Sequence, residues 1–164
     1  MSDDTSAGPR VHPRAREQLK RPVDATEIEA IRELWKRHSL AEDARSLEGL
    51  ISTLTDDCVY ELVDTGHRWE GHDGATRFYT EFLGAFPDVE FHLQDIVIGP
   101  QGVCEIADVA GTFTRDFAGR EATGQREQWR VVIVFPWDQG RRLFAGERVL
   151  VLWGDEGGTP LPAG

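Results

Sequence analysis

Ile28, Ile31, Leu34, Trp35 and His38 recur at the spacing of one helix face, so His38 ends an apolar stripe. An imidazole there titrates near neutrality and can act as acid or base, or can be a satisfied structural group near a helix C-terminus. Tyr60 and Trp69 carry a hydroxyl and an indole N–H able to orient a carbonyl or hydroxyl of a bound molecule, and core packing accounts for them equally well. Arg148 shares strand parity with Leu150 and Leu152. If that parity faces a cavity, Arg148 can meet an anionic or carbonyl group, and Glu147 then faces away unless a bulge changes the register. Arg130 lies in an apolar strand with Gln128 at the same parity. If buried it needs a partner, and Asp108 or Glu105 on the preceding strand supplies one, either as a structural salt bridge or as part of a substrate clamp.

The aromatic residues Trp35, Tyr79, Phe82, Phe113 and Trp129 read as core, part of which can also be the wall of a pocket, with Leu152 beside them. Other chemistries find no support. No pair of carboxylates has a spacing that fits hydrolysis, and no glycine-rich loop precedes a helix as phosphate binding requires. Cys58 and Cys104 lie inside strand patterns without a neighbouring Cys or His at ligand spacing, so they are read as small core residues and no metal site is expected. No cofactor motif is present. His67, His72 and His92 receive no role, and the acid pair Asp56 and Asp57 reads as the end of a helix. The formal charge of -11 opposes unspecific nucleic-acid binding, which needs a basic surface.

The elements that must position these residues begin with a helix from about 25 to 40, opened by a capping box of Asp24 and Glu27. A second helix opens at Ser46 and buries Leu47, Leu50, Ile51 and Leu54. Two short strands, 58 to 63 and 68 to 70, flank the turn Asp64-Thr65-Gly66. Ala75, Phe78, Tyr79, Phe82 and Phe86 mark a third helix that Pro87 stops. Four long strands follow, at about 89 to 98, 103 to 114, 125 to 135 and 142 to 153. The order predicts an α+β domain with helices on one face of a curved antiparallel sheet. Residues 1–23 are expected to be a mobile basic tail, 24–154 a single domain and 155–164 a flexible end. The runs 131 to 135 and 149 to 153 are apolar at consecutive positions, which predicts that both sheet faces are covered, one of them by a second copy of the chain in a twofold dimer. No membrane span or signal segment is visible, and a cytoplasmic location is expected.

Several short segments together resemble the SnoaL-like polyketide cyclases and ester-cyclase relatives of the nuclear-transport-factor-2-like superfamily. They are Trp69-Glu70-Gly71 leading into Phe78-Tyr79, Ala85-Phe86-Pro87-Asp88, Gly111-Thr112-Phe113-Thr114, Ala122-Thr123-Gly124 and Gly146-Glu147-Arg148-Val149. The resemblance runs from about Ile28 to Trp153 and implies a cone of helices over a bent sheet, enclosing a pocket for a small molecule. It also implies a histidine where this chain has Phe113, and an acid near the end of the last strand where it has Leu150, Leu152 or Trp153. Asp155 lies close by but past the strand.

The resulting expectation is a cofactor-independent cyclase, isomerase or hydrolase acting on a hydrophobic, oxygenated small molecule. His38 and Arg148 are the expected catalytic groups, and Trp35, Tyr60, Trp69, Tyr79, Phe82, Phe113, Trp129, Arg130 and Leu152 the binding residues. Loss of the family's histidine and aspartate leaves two rivals, a non-catalytic binder of such molecules and a dimeric interaction module whose cone is filled by Phe113, Leu152 and Trp129.

Overall fold

The computed structural model of the chain describes residues 11–153, with only the backbone at Trp153. Asp155 and most of the two expected end segments lie outside the described residues. The elements in chain order are α1 Pro13–Leu19, α2 Ala25–Asp43, α3 Leu47–Ile51, β1 Leu54–Leu62, β2 His67–Glu70, α4 Gly71–Ala85, β3 Glu90–Gly99, β4 Gly102–Thr112, β5 Arg126–Asp138 and β6 Leu143–Trp153. The strands form one sheet in the order β2-β1-β6-β5-β4-β3. All neighbours are antiparallel except β1 and β6, which run parallel and so join the first and last strands at the middle of the sheet. The α+β architecture is the one the sequence predicts. No helix among the described residues is long and apolar enough to cross a membrane.

Local chemistry sets the helix boundaries. Asp24 caps α2 by accepting the Glu27 N–H at 2.8 Å. The predicted reciprocal contact is not made, because the Glu27 carboxylate is drawn to β5 and its turn, accepting from Trp137 Nε1 and Gln139 Nε2, each at 2.8 Å. Ser46 caps α3 through the Gly49 N–H. α4 follows β2 without a loop, at Gly71 with φ +68, and ends before Pro87. The last residues of the expected tail form α1, which is held to the β3–β4 turn. Gln101 donates to the Gln18 carbonyl at 2.9 Å, and Arg21 donates to the Pro100 carbonyl at 3.2 Å.

The core lies between α2, α4 and the concave face of the sheet, where β5 contributes Trp129, Val131, Ile133, Phe135 and Trp137 in strict alternation. The apolar runs do not mean two covered faces within one chain. Val132 and Val134 are half-buried on the outer face, and Leu150 and Leu152 there are 39% and 52% exposed.

β6 carries the feature that decides which side chains enter the core. Trp137 lies opposite Phe144, but Val134 lies opposite Arg148, so three steps on β5 match four on β6. The extra residue is a bulge at Gly146, whose φ of +106 is open to glycine and strained for other residues. Counting inward from buried Phe144 by twos would select 146, 148, 150 and 152. Beyond the bulge the inward set is instead Glu147, Val149 and Val151. A Cβ at Gly146 would stand 2.0 Å from the Val59 carbonyl oxygen. Gly146→Ala is therefore expected to cost at least ~3 kcal/mol in urea unfolding; a loss within experimental error would show that β6 can relax without its glycine.

Candidate active site

Glu147 is the acid the bulge turns inward, and it is 4% exposed. Burying a carboxylate is tolerable when donors replace its water, and three converge on one oxygen. Oε1 lies 2.8 Å from the Tyr79 hydroxyl, 3.0 Å from the Tyr60 hydroxyl and 2.9 Å from His38 Nε2. The donors come from α4, β1 and α2, so the cluster ties three elements to β6. The tyrosine hydroxyls lie 2.7 Å apart. Burial first, and then the charge of Glu147, push both phenols well above their ordinary range, so both stay protonated.

The His38 tautomer follows from its other neighbour. The Thr53 hydroxyl gives its proton to the Leu50 carbonyl at 2.6 Å and must accept from His38 Nδ1 at 2.7 Å. Nε2 is then the nitrogen left to the cluster, 2.9 Å from both the Tyr79 hydroxyl and Glu147 Oε1.

Above the cluster is a cavity of about 60 Å³. At ~10–15 Å³ per water, it has room for roughly four to six small groups. Its wall is apolar and rich in aromatic rings: Phe78 and Phe82 from α4, Phe86 just past its end, Phe91 from β3, then Phe113, Phe117 and Trp129. Two carboxyls interrupt that wall, Glu147 and Glu42. Glu42 lies one helical turn beyond His38 on α2. Burial is the main reason its carboxyl is held well above the usual range, followed by the charges of Glu147, Glu105 and Asp43. Among the described residues none donates a hydrogen bond to it, so it keeps its proton and can offer it to a guest. The rim consists of Asp64 and Thr65 from the β1–β2 turn and of Ala118 and Arg120. The guanidinium of Arg120 lies 5.0 Å from the Phe113 ring centre.

The structure brings together part of the expected constellation. Phe82, Phe113 and Trp129 line the cavity, and His38, Tyr60 and Tyr79 form the network beneath it. His38, at 1% exposure, has both nitrogens occupied and does not line the cavity. Trp69 lies one layer behind the wall, stacked on Phe117 at 6.2 Å and edge-on to Phe78. Trp35 points to Glu105, to which its indole donates at 2.6 Å. Three expectations are corrected. Arg148 is on the outer face, paired with Glu61 at 3.3 Å, because the bulge reverses the parity. Leu152 is on that face for the same reason. Arg130 also points outward, forming a two-pronged bridge to Asp108 at 2.7 and 3.0 Å, which is the structural alternative weighed for it. Glu42 and Phe117 were not singled out by sequence. Glu147 was expected to face away unless a bulge changed the register, which the bulge at Gly146 does, and Phe78 was placed on a helix face without a site role. The available signals were the i, i+4 spacing of Glu42 from His38 and the glycine before Glu147.

Glu105, beside this site, is buried and its carboxyl is pushed up to about 7, by burial chiefly and by Glu147, against the Trp35 hydrogen bond. A raised acid binds its proton more tightly in the folded state. Its contribution is therefore fully present below 4.5, its ordinary value, and is lost as pH rises to about 7. The loss is on the order of 3 kcal/mol. Glu105→Gln, which keeps an acceptor for Trp35, is expected to raise the melting temperature at pH ~8 and leave it nearly unchanged at pH ~5. An equal shift at both values would contradict a titrating Glu105.

A model of the SnoaL-like domain matches residues 35–143, about two thirds of the chain. Among solved structures, AclR from Streptomyces galilaeus, named as a candidate hydroxylase, is 21% identical with a TM-score of 0.61, covering 77% of this chain and 81% of its own. A candidate SnoaL-like polyketide cyclase from Jannaschia sp. CCS1 is 19% identical with a TM-score of 0.63, covering 80% and 89%. A candidate ketosteroid isomerase from Kribbella flavida is 21% identical with a TM-score of 0.55, covering 82% and 84%. No curated protein sequence matches the chain. The matched domain model, together with a cone of helices over a bent sheet that encloses an aromatic cavity, places this chain in the SnoaL-like family of the nuclear-transport-factor-2-like fold.

Proposed function

We propose that this small-molecule pocket protein is a cofactor-independent acid–base enzyme, of the isomerase or cyclase kind, acting on a small oxygenated and largely apolar substrate. The observation that carries the reading is the pair of dissimilar carboxyls on one aromatic wall. Glu42 holds its proton, while Glu147 accepts from the Tyr60 and Tyr79 hydroxyls and faces His38 Nε2. One carboxyl that holds a proton beside another in a different hydrogen-bonding environment is what general acid–base chemistry requires.

In this reading Glu147 removes a proton from a carbon beside a carbonyl. The electron pair moves to the carbonyl oxygen, which takes a hydrogen bond and then the proton from Glu42. In a substrate with a conjugated double bond, returning the first proton to a different carbon while the enol proton goes back to Glu42 isomerises it. Alternatively, the enol carbon attacks a second carbonyl, whose oxygen takes the proton from Glu147 as the enol proton returns to Glu42, and a ring closes. Tyr60, Tyr79 and His38 act as positioning residues, holding Glu147 in place. This moves the acid–base role expected of His38 to the carboxylate that it supports. The dry site strengthens each of these interactions relative to water.

The small cavity favours one rival, a non-catalytic binder, because Phe113 and Trp129 occupy much of the cone. Proton exchange separates the two. Incubation in heavy water with a panel of small ketones, with and without hydroxyl and amino groups, is expected to show α-proton exchange by NMR. Glu147→Gln and Glu42→Gln should each slow it ~10²- to 10⁴-fold, and Arg148→Ala should not. Exchange undiminished in Glu147→Gln would contradict the acid–base reading.

We further propose that two copies of the chain meet through the outer sheet face. Val97, at 66% exposure, lies there with Leu150 and Leu152, beside half-buried Ile106, Val132 and Val134. The unbridged thiols of Cys58 and Cys104 suit a reducing cytoplasm. Leu152→Glu is expected to halve the mass measured by light scattering, and an unchanged mass would contradict this interface.

A further inference from the structure

The polar end of the cavity carries more acids than its neighbours neutralise. The charged and titratable groups around Glu42 are Glu147 from β6, Glu105 from β4, Asp43 beside it, Arg45 just past α2, and the hydroxyls of Tyr60 and Tyr79. Arg45 is the one cation in that set, and its influence is the weakest. His38 is already engaged by Glu147. Among the described residues no donor reaches Oε2 of Glu147, although Glu147 lines the cavity and is 4% exposed. The rest of the wall is ring faces and aliphatic side chains such as Leu62, Val131 and Ile133, and one ring, Phe113, has the Arg120 guanidinium over it. Carboxylates and ring faces both favour a cationic guest, and an ammonium group supplies three donors at once.

We propose that the ligand of this cavity is a small oxygenated organic cation, such as an amino alcohol or amino ketone, with its ammonium group at the Glu42 and Glu147 end. The inference rests on the reading of the cavity as the substrate site. The ammonium donates to Oε2 of Glu147, and Glu42 keeps its proton for the oxygen of the guest. A neutral guest brings no charge to Oε2, and an anion is opposed by Glu147.

Ethanolamine and propan-1-ol form a suitable pair, equal in heavy atoms and differing in an ammonium for a methyl group. Their binding to the whole chain is read from NMR shifts of cavity residues. Ethanolamine is expected to bind at least about tenfold more tightly. Glu147→Gln, which keeps the shape of the side chain and removes its charge, should abolish the preference in a variant whose circular dichroism matches the native chain. Propan-1-ol binding as tightly in the native chain, or a preference surviving folded Glu147→Gln, overturns the inference and leaves the acid–base reading standing. If neither probe perturbs cavity residues, the site assignment falls as well.

Discussion

Removing Glu147 from water costs several kcal/mol unless its charge is met by well-placed donors, and the arrangement of this domain answers that requirement. The donors are Tyr60, Tyr79 and His38, one each from β1, α4 and α2, and none is a sequence neighbour of the acid. Each donor is fixed in turn. Thr53 sets the histidine tautomer, and the tyrosines pack edge to face at 5.3 Å. Breaking any contact leaves a buried polar group without its partner, which costs more than the hydrogen bond itself contributes. The cluster therefore works both as a clamp between helices and sheet and as the floor of the cavity.

The same burial creates the chemistry. A cavity whose wall includes seven aromatic side chains offers little to stabilise a second charge, so Glu42 is held in its neutral form. Glu105 shares this condition more mildly, its indole partner offsetting part of the cost of burial. Three acids crowding one end of a dry core oppose stability. A fold tolerates such a cost where the site has a use for it.

Much of this was legible in the sequence. Helical periodicity placed α2 and α4, turn residues separated the strands, and the segments around Trp69, Ala85 and Gly146 carried the family resemblance. Phe82, Phe113 and Trp129 lie against the cavity, because residues on the inner face of a strand or helix must meet whatever the cone encloses. Arg148 and Leu152 went to the wrong face for one reason, the extra residue at Gly146, which inverts alternation along the rest of β6. Glu42 escaped notice because a glutamate near a helix end usually faces water. Only the tertiary approach of β4 and β6 encloses this one. The α1 segment read as a tail because its anchors, Gln101, Pro100 and Trp137, are distant in sequence.

The central claim is that the cavity holds two unlike carboxyls, with Glu42 protonated under the influence of Glu147. Carbon-13 NMR of selectively labelled glutamate carboxyls, followed through a pH titration, tests it directly. Glu42 should keep its proton well above 4.5, its ordinary value, and move back toward that value in Glu147→Gln. A Glu42 that titrates near 4.5 in the native chain would contradict the account.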